Sequence, residues 1–117
     1  MPPRKPSPVG VHVPVAGGLA SGGLAYAHDV GAEAVQVFLS NPRGWALSAG
    51  DPKQDDEFRA GCAAAKIPAF VHAPYLVNLG SPTETTLDTS VRSLRHTLAG
   101  AGAIGSRAVG GRAGSAV

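Results

Sequence analysis

At 117 residues and a formal charge of +2, the chain is long enough for one small domain with a modest core. It is far too short for a closed eight-stranded α/β barrel, which takes roughly 250 residues. Ten basic against eight acidic residues make a polyanionic partner only mildly favoured, no apolar run approaches the ~18 residues of a membrane span, and the single cysteine excludes an internal disulfide.

Residues 1–8, within MPPRKPSPVG, form a proline-rich lead-in with two basic residues and no apolar stretch of signal-peptide length, so they are expected to be disordered. The remainder, 9–117, is expected to be one domain in a reducing, cytoplasmic setting. Its 44% apolar content comes largely from Ala and Val, and with 5% aromatics few large side chains are available to bury.

Val9 to Val13 (VGVHV) reads as a first strand. Gly17 and Gly18 open a helix to about Asp29, weakened by Gly22 and Gly23, each of which costs ~1 kcal/mol relative to Ala inside a helix. Ala34 to Leu39 (AVQVFL) is a second strand, and the polar loop SNPRGWALSAG leads into a helix from about Asp51 to Lys66. The acidic opening of that helix, Asp51, Asp55 and Asp56, suits the positive end of its dipole. Cys62, in FRAGCAAAK, is read as a packing residue on this helix rather than a nucleophile. Ile67 to His72 (IPAFVH) is a third strand, followed by the loop APYLVNLGSP. The next helix is expected over Pro82 to Ala101, with Ser81 as N-cap, Pro82 at the first helical position and Glu84 completing a capping box. Of the remaining residues only Ala108 and Val109 look strand-like.

Short strands alternating with longer helices are the rhythm of βα units on a parallel sheet, where function collects at the C-terminal ends of strands. The chemically unusual residues fall in those places. His12 ends strand one, Asn41, Arg43 and Trp45 follow strand two, and His72, Tyr75 and Asn78 follow strand three. Taken alone, N-P-R-G-W is a turn with an exposed arginine and a packed tryptophan, Asn41 and Asn78 serve equally well as loop caps, and an isolated histidine beside an apolar strand is more often structural than a ligand.

Three segments, GVHVPVAGGLA (10–20), VQVFLSNPRGW (35–45) and VHAPYLVNLGSP (71–82), together resemble endonuclease IV, the zinc-dependent apurinic/apyrimidinic endonucleases also called AP endonuclease family 2. The third segment, with its H-x-x-Y-L-x-N-L run, is the most specific. The resemblance implies an α/β fold that is part of a (β/α)₈ TIM barrel, about its first three to four βα units. It also implies a deoxyribonuclease IV activity: hydrolysis of DNA 5′ to abasic sites in base excision repair, at a trinuclear zinc centre whose ligands are spread around the whole barrel. Carried over residue by residue, His72 is a zinc ligand and His12 a supporting residue behind it. Arg43, Tyr75 and Leu76 match positions that insert into the DNA at the lesion, with Asn41 and Asn78 beside them. His28 and His96, on helices, are expected to be exposed, and Trp45 to anchor its loop by packing.

The family continues with a V-H-x-G-S pattern whose histidine is a further zinc ligand, whereas this chain has GGRAGSAV, placing Arg112 where that histidine belongs. Arginine stays protonated and cannot coordinate metal. One credible ligand in place of three or more leaves an incomplete centre, and the chain is expected to be inactive alone. Two other readings are a sugar isomerase-like barrel fragment, which needs no Arg43 and Tyr75–Leu76 wedge, and a non-catalytic DNA-binding remnant.

Overall fold

The computed structural model describes residues 2–116; the parts of the sequence reading that fall on Met1 and Val117 lie outside them. Four strands, β1 (Gly10–His12), β2 (Ala34–Val37), β3 (Ala69–His72) and β4 (Ala108–Gly110), form one sheet in the order β1-β2-β3-β4, each paired parallel to the next. The intervening helices are α1 (Ala25–Val30), entered through a π-helical turn over Leu19–Leu24, then α2 (Pro52–Ala65) and α3 (Glu84–Ala103). Residues 2–9 carry no helix or strand and are exposed. Extents of 48 × 42 × 20 Å make the molecule a slab. Within it the sheet does not close on itself, and β1 and β4 are its edges.

Strand alternation sorts the side chains into two faces. Val35, Val37, Ala69 and Val71 are buried in one cluster with Phe58 and Cys62 of α2 and with Ala101 and Ile104 at the end of α3. Their neighbours Gln36, Phe70 and His72 are only half-buried. β-branched residues on one face and helices packed against that face alone are what short crossovers on a right-handed parallel sheet produce. Register then aligns His12, Gln36, Phe70 and Ala108 at one level on the opposite face.

Local chemistry explains the element ends. At α2, Asp51 accepts from Gln54 N at 3.3 Å and Pro52 takes the first helical position, while Lys66 closes the helix in the left-handed region, φ 56°. The expected first helix instead begins as a π turn held from outside. Gln54 Oε1 accepts from the backbone N–H of Ala20 (2.8 Å) and Ser21 (3.0 Å), and its Nε2 donates to Ser21 Oγ (2.8 Å). Gly18 enters this turn at φ 108°, and a side chain there would meet the Gln54 amide at 2.8 Å.

The capping box expected at α3 does not form. The N-cap is Thr83, without a side-chain hydrogen bond, and the helix starts at Glu84 rather than Pro82. Ser81 is already engaged in a turn: its N–H reaches Asn78 O (3.4 Å) and its Oγ accepts from Thr83 N (3.2 Å), which delays the helix by two residues. Strands also stop short of their apolar runs, β2 ending at Val37 instead of Leu39 and β3 beginning at Ala69 instead of Ile67. β4 forms over the expected Ala108 and Val109 and extends to Gly110.

Candidate functional site

The C-terminal ends of the strands gather an aromatic and imidazole cluster on the helix-free face. Phe38, just beyond β2, stands between the two histidines, its ring centroid 4.7 Å from His12 and 5.1 Å from His72. Tyr75 completes the group, 5.3 Å from Phe38 and 5.5 Å from His72, both edge-on. Edge-on packing of this kind is favourable and fixes ring orientation.

His72 ends β3, half-buried, with Nδ1 against the carbonyl of Ala73. A carbonyl can only accept, so Nδ1 donates in this contact and Nε2 is the ring nitrogen left to take another partner. This is the arrangement by which a backbone acceptor orients a metal-binding imidazole. His12 is held in the same manner, its Nδ1 3.1 Å from Gln36 Oε1. No group of three or more His, Cys, Asp or Glu able to hold a metal occurs among the described residues. A whole zinc centre requires at least three protein ligands, so the described residues do not fit one by themselves.

The loops after β2 and β3 lie side by side, joined by Tyr75 N–H to Pro42 O at 2.8 Å. On them Arg43 is exposed, Tyr75 is 44% and Leu76 37% exposed. Asn41 shapes the first loop by accepting from Arg43 N at 3.0 Å. Asn78 is occupied by the chain itself: Oδ1 accepts from Gly80 N (3.1 Å) and Ser115 N (2.8 Å), and Nδ2 donates to Ser115 O (2.9 Å). Both asparagines thus act as loop caps in this structure.

Two expectations need correction. Trp45 is 36% exposed rather than packed into its loop, because SNPRGWALSAG runs without helix or strand along the surface. His96 is half-buried, its Nε2 2.8 Å from Ser48 O, which ties α3 to that same loop; His28 is exposed as expected. Cys62 is buried, and burial pushes its thiol above the ordinary range, which disfavours the nucleophilic thiolate. Asp55 is also raised, first by desolvation and then by Asp51 and Asp56, so mutual repulsion offsets part of the favourable helix-dipole placement.

Reading residues one at a time missed Gln36, Phe38 and Leu79. Gln36 and Phe38 were visible in principle, since in VQVFL the alternation that sends Val35 and Val37 to the helices sends these two to the opposite face. Leu79 is 44% exposed on the loop after β3, and no spacing marks it.

A family model described as xylose isomerase-like TIM barrel matches residues 24–116. The chain belongs to that family. It is 64% identical over 110 residues to the probable endonuclease 4 of Streptomyces avermitilis, covering 94% of this chain and 36% of that protein. It is also 61% identical over 110 residues to the probable endonuclease 4 of Streptomyces coelicolor, covering 94% and 37%. Among solved structures, endonuclease IV from Thermus thermophilus superposes with a TM-score of 0.85 at 34% identity, over 95% of this chain and 42% of that one. The endonuclease IV resemblance carried by the three segments is borne out, as is the partial barrel; the chain spans little more than a third of the length of these curated relatives.

Proposed function

We propose that the chain supplies the first three βα units and the fourth strand of an endonuclease IV-type enzyme, a zinc-dependent hydrolase that cleaves DNA 5′ to abasic sites in base excision repair, and that it is inactive alone. What carries this reading is the placement of His72, Arg43, Tyr75 and Leu76 on one rim of the sheet, with the wedge residues exposed on two hydrogen-bonded loops. The sugar isomerase alternative gives no reason for Tyr75 and Leu76 to be exposed there. Double-stranded DNA is the partner, and a cytoplasmic location goes with it; no helix among the described residues is long and apolar enough to cross a membrane.

In this reading Tyr75 and Leu76 take the place of stacked bases at the lesion, offsetting an unstacking cost of a few kcal/mol, while Arg43 contacts phosphate. Asn41 and Asn78 set the shape of the two loops. His72, with Nδ1–H on the Ala73 carbonyl, offers Nε2 as one zinc ligand, and His12, held by Gln36, supports the cluster through Phe38. Zinc, when bound, would lower the pKa of a coordinated water and polarise the phosphodiester. The remaining ligands must come from other strands.

The test is a chimera in which this chain, with Arg112→His, is continued by the remaining strands of the Streptomyces avermitilis relative. Tyr75→Ala should weaken binding to an abasic duplex and leave zinc content intact, whereas His72→Ala should lower zinc content together with cleavage. The reverse pattern would show that the two roles are wrongly assigned.

A further inference from the structure

We propose that Arg112 is a metal-independent phosphate contact for DNA, presented by its stack over Tyr75. This rests on the DNA reading above but not on zinc. β4 ends at Gly110, paired with His72, and two residues later the Arg112 guanidinium carbon lies 5.9 Å from the Tyr75 ring centroid. A guanidinium over an aromatic face keeps its in-plane N–H fork for another partner, and that fork matches the oxygens of a phosphodiester.

The stack is held from both sides. Asn78, on the loop after β3, makes its two hydrogen bonds to the backbone of Ser115, strapping the segment that contains Arg112 onto the Tyr75 loop. Gly114 permits the strap, with φ 114° and no room for a side chain against Asn78 Oδ1. The one ion pair among the described residues joins Lys53 to Glu57 on α2, so among those residues no carboxylate pairs with Arg112. Tyr75, Val77, Asn78, Arg112, Gly114 and Ser115 line a recess of about 250 Å³. That is below the ~300–1,000 Å³ usual for a drug-sized ligand and suits a phosphate with part of its sugar.

Arg43 is exposed on the neighbouring loop, which is hydrogen-bonded to the Tyr75 loop, so a second cation is presented on the same rim. A metal holds phosphate only while it is bound. Arginine is charged at every physiological pH, so the contact should survive chelation.

The test is fluorescence anisotropy of the full chain with a labelled duplex carrying a tetrahydrofuran abasic analogue, and with the intact duplex, in EDTA across a KCl series. Arg112→Ala should weaken both duplexes by the same several-fold factor, and make the slope of log K against log salt shallower by about 1, the loss of one phosphate contact. Arg112→Lys should retain the slope, separating charge from any structural role. An unchanged slope in Arg112→Ala, a slope lost in Arg112→Lys as well, or a wild-type chain that binds neither duplex in EDTA would overturn the assignment. The Arg112→Ala slope change, seen beside a wild-type chain that binds both duplexes with equal affinity, would support the phosphate contact while contradicting the lesion reading.

Discussion

The two faces of the sheet are built from the same four strands yet do different work. On the helix side, Val35, Val37, Ala69 and Val71 meet Phe58, Cys62 and Ile104, and most of these side chains are almost free of solvent. On the other side, His12, Gln36, Phe38, Phe70 and His72 remain half-buried or exposed; Phe38 makes ring contacts to both histidines, His12 bonds to Gln36 and His72 to the Ala73 carbonyl. A parallel sheet is ordinarily covered on both faces. Here the covered face holds the packed core, and the open face gathers the histidines and aromatic rings.

The largest stability effect should therefore fall on the helix side. Phe58→Ala removes a side chain with 0% exposure and should cost roughly 3–5 kcal/mol, whereas Phe70→Ala, half-buried on the open face, should cost about 1 kcal/mol. Urea midpoints of the two variants measure the difference. Equal losses would mean that the open face is as tightly packed as the other, and the division would fail.

A smaller effect concerns pH at the start of α2. Asp55 is raised in the folded chain by desolvation, Asp51 and Asp56. A carboxyl with a raised folded value favours the fold fully below its unfolded pKa, and that contribution is lost as pH rises through the raised value. Asp55→Asn should accordingly raise the urea midpoint slightly at neutral pH and flatten its decline between the ordinary carboxylate range and the raised one. A lower midpoint at neutral pH would mean that the helix dipole outweighs repulsion at this position.

The covered face was legible from the sequence because it follows two strong signals. Period-two apolar residues, Val35 and Val37, Ala69 and Val71, mark β2 and β3, and the Asp51–Pro52 pair marks the start of α2. β1 and β4, three residues each, were less legible, since Gly10 and Gly110 contribute no side chain to any pattern. The delayed start of α3 escaped because Ser81 has two local uses, cap or turn, and the choice depends on Asn78, which is itself pinned by Ser115, 37 residues away in sequence. The π turn escaped for the same reason, its N–H groups being satisfied by Gln54 from the next helix.

At the candidate site, position relative to the strand ends singles out His12, Arg43, His72 and Tyr75, and the family resemblance adds Leu76. Contacts joining distant segments are not marked in this way. Phe38 between the histidines and Arg112 over Tyr75 follow from the register of β2, β3 and β4, and no local spacing encodes that register.

The central claim is that this chain holds one share of a zinc centre and cannot complete it. The most direct test is nicking of an abasic duplex by the purified chain, free of host nuclease, with added zinc, beside the chimera that restores the other strands. The chain should show no cleavage and the chimera EDTA-sensitive cleavage. Zinc-dependent nicking by the chain alone, or an inactive chimera with a full complement of zinc, would contradict the account.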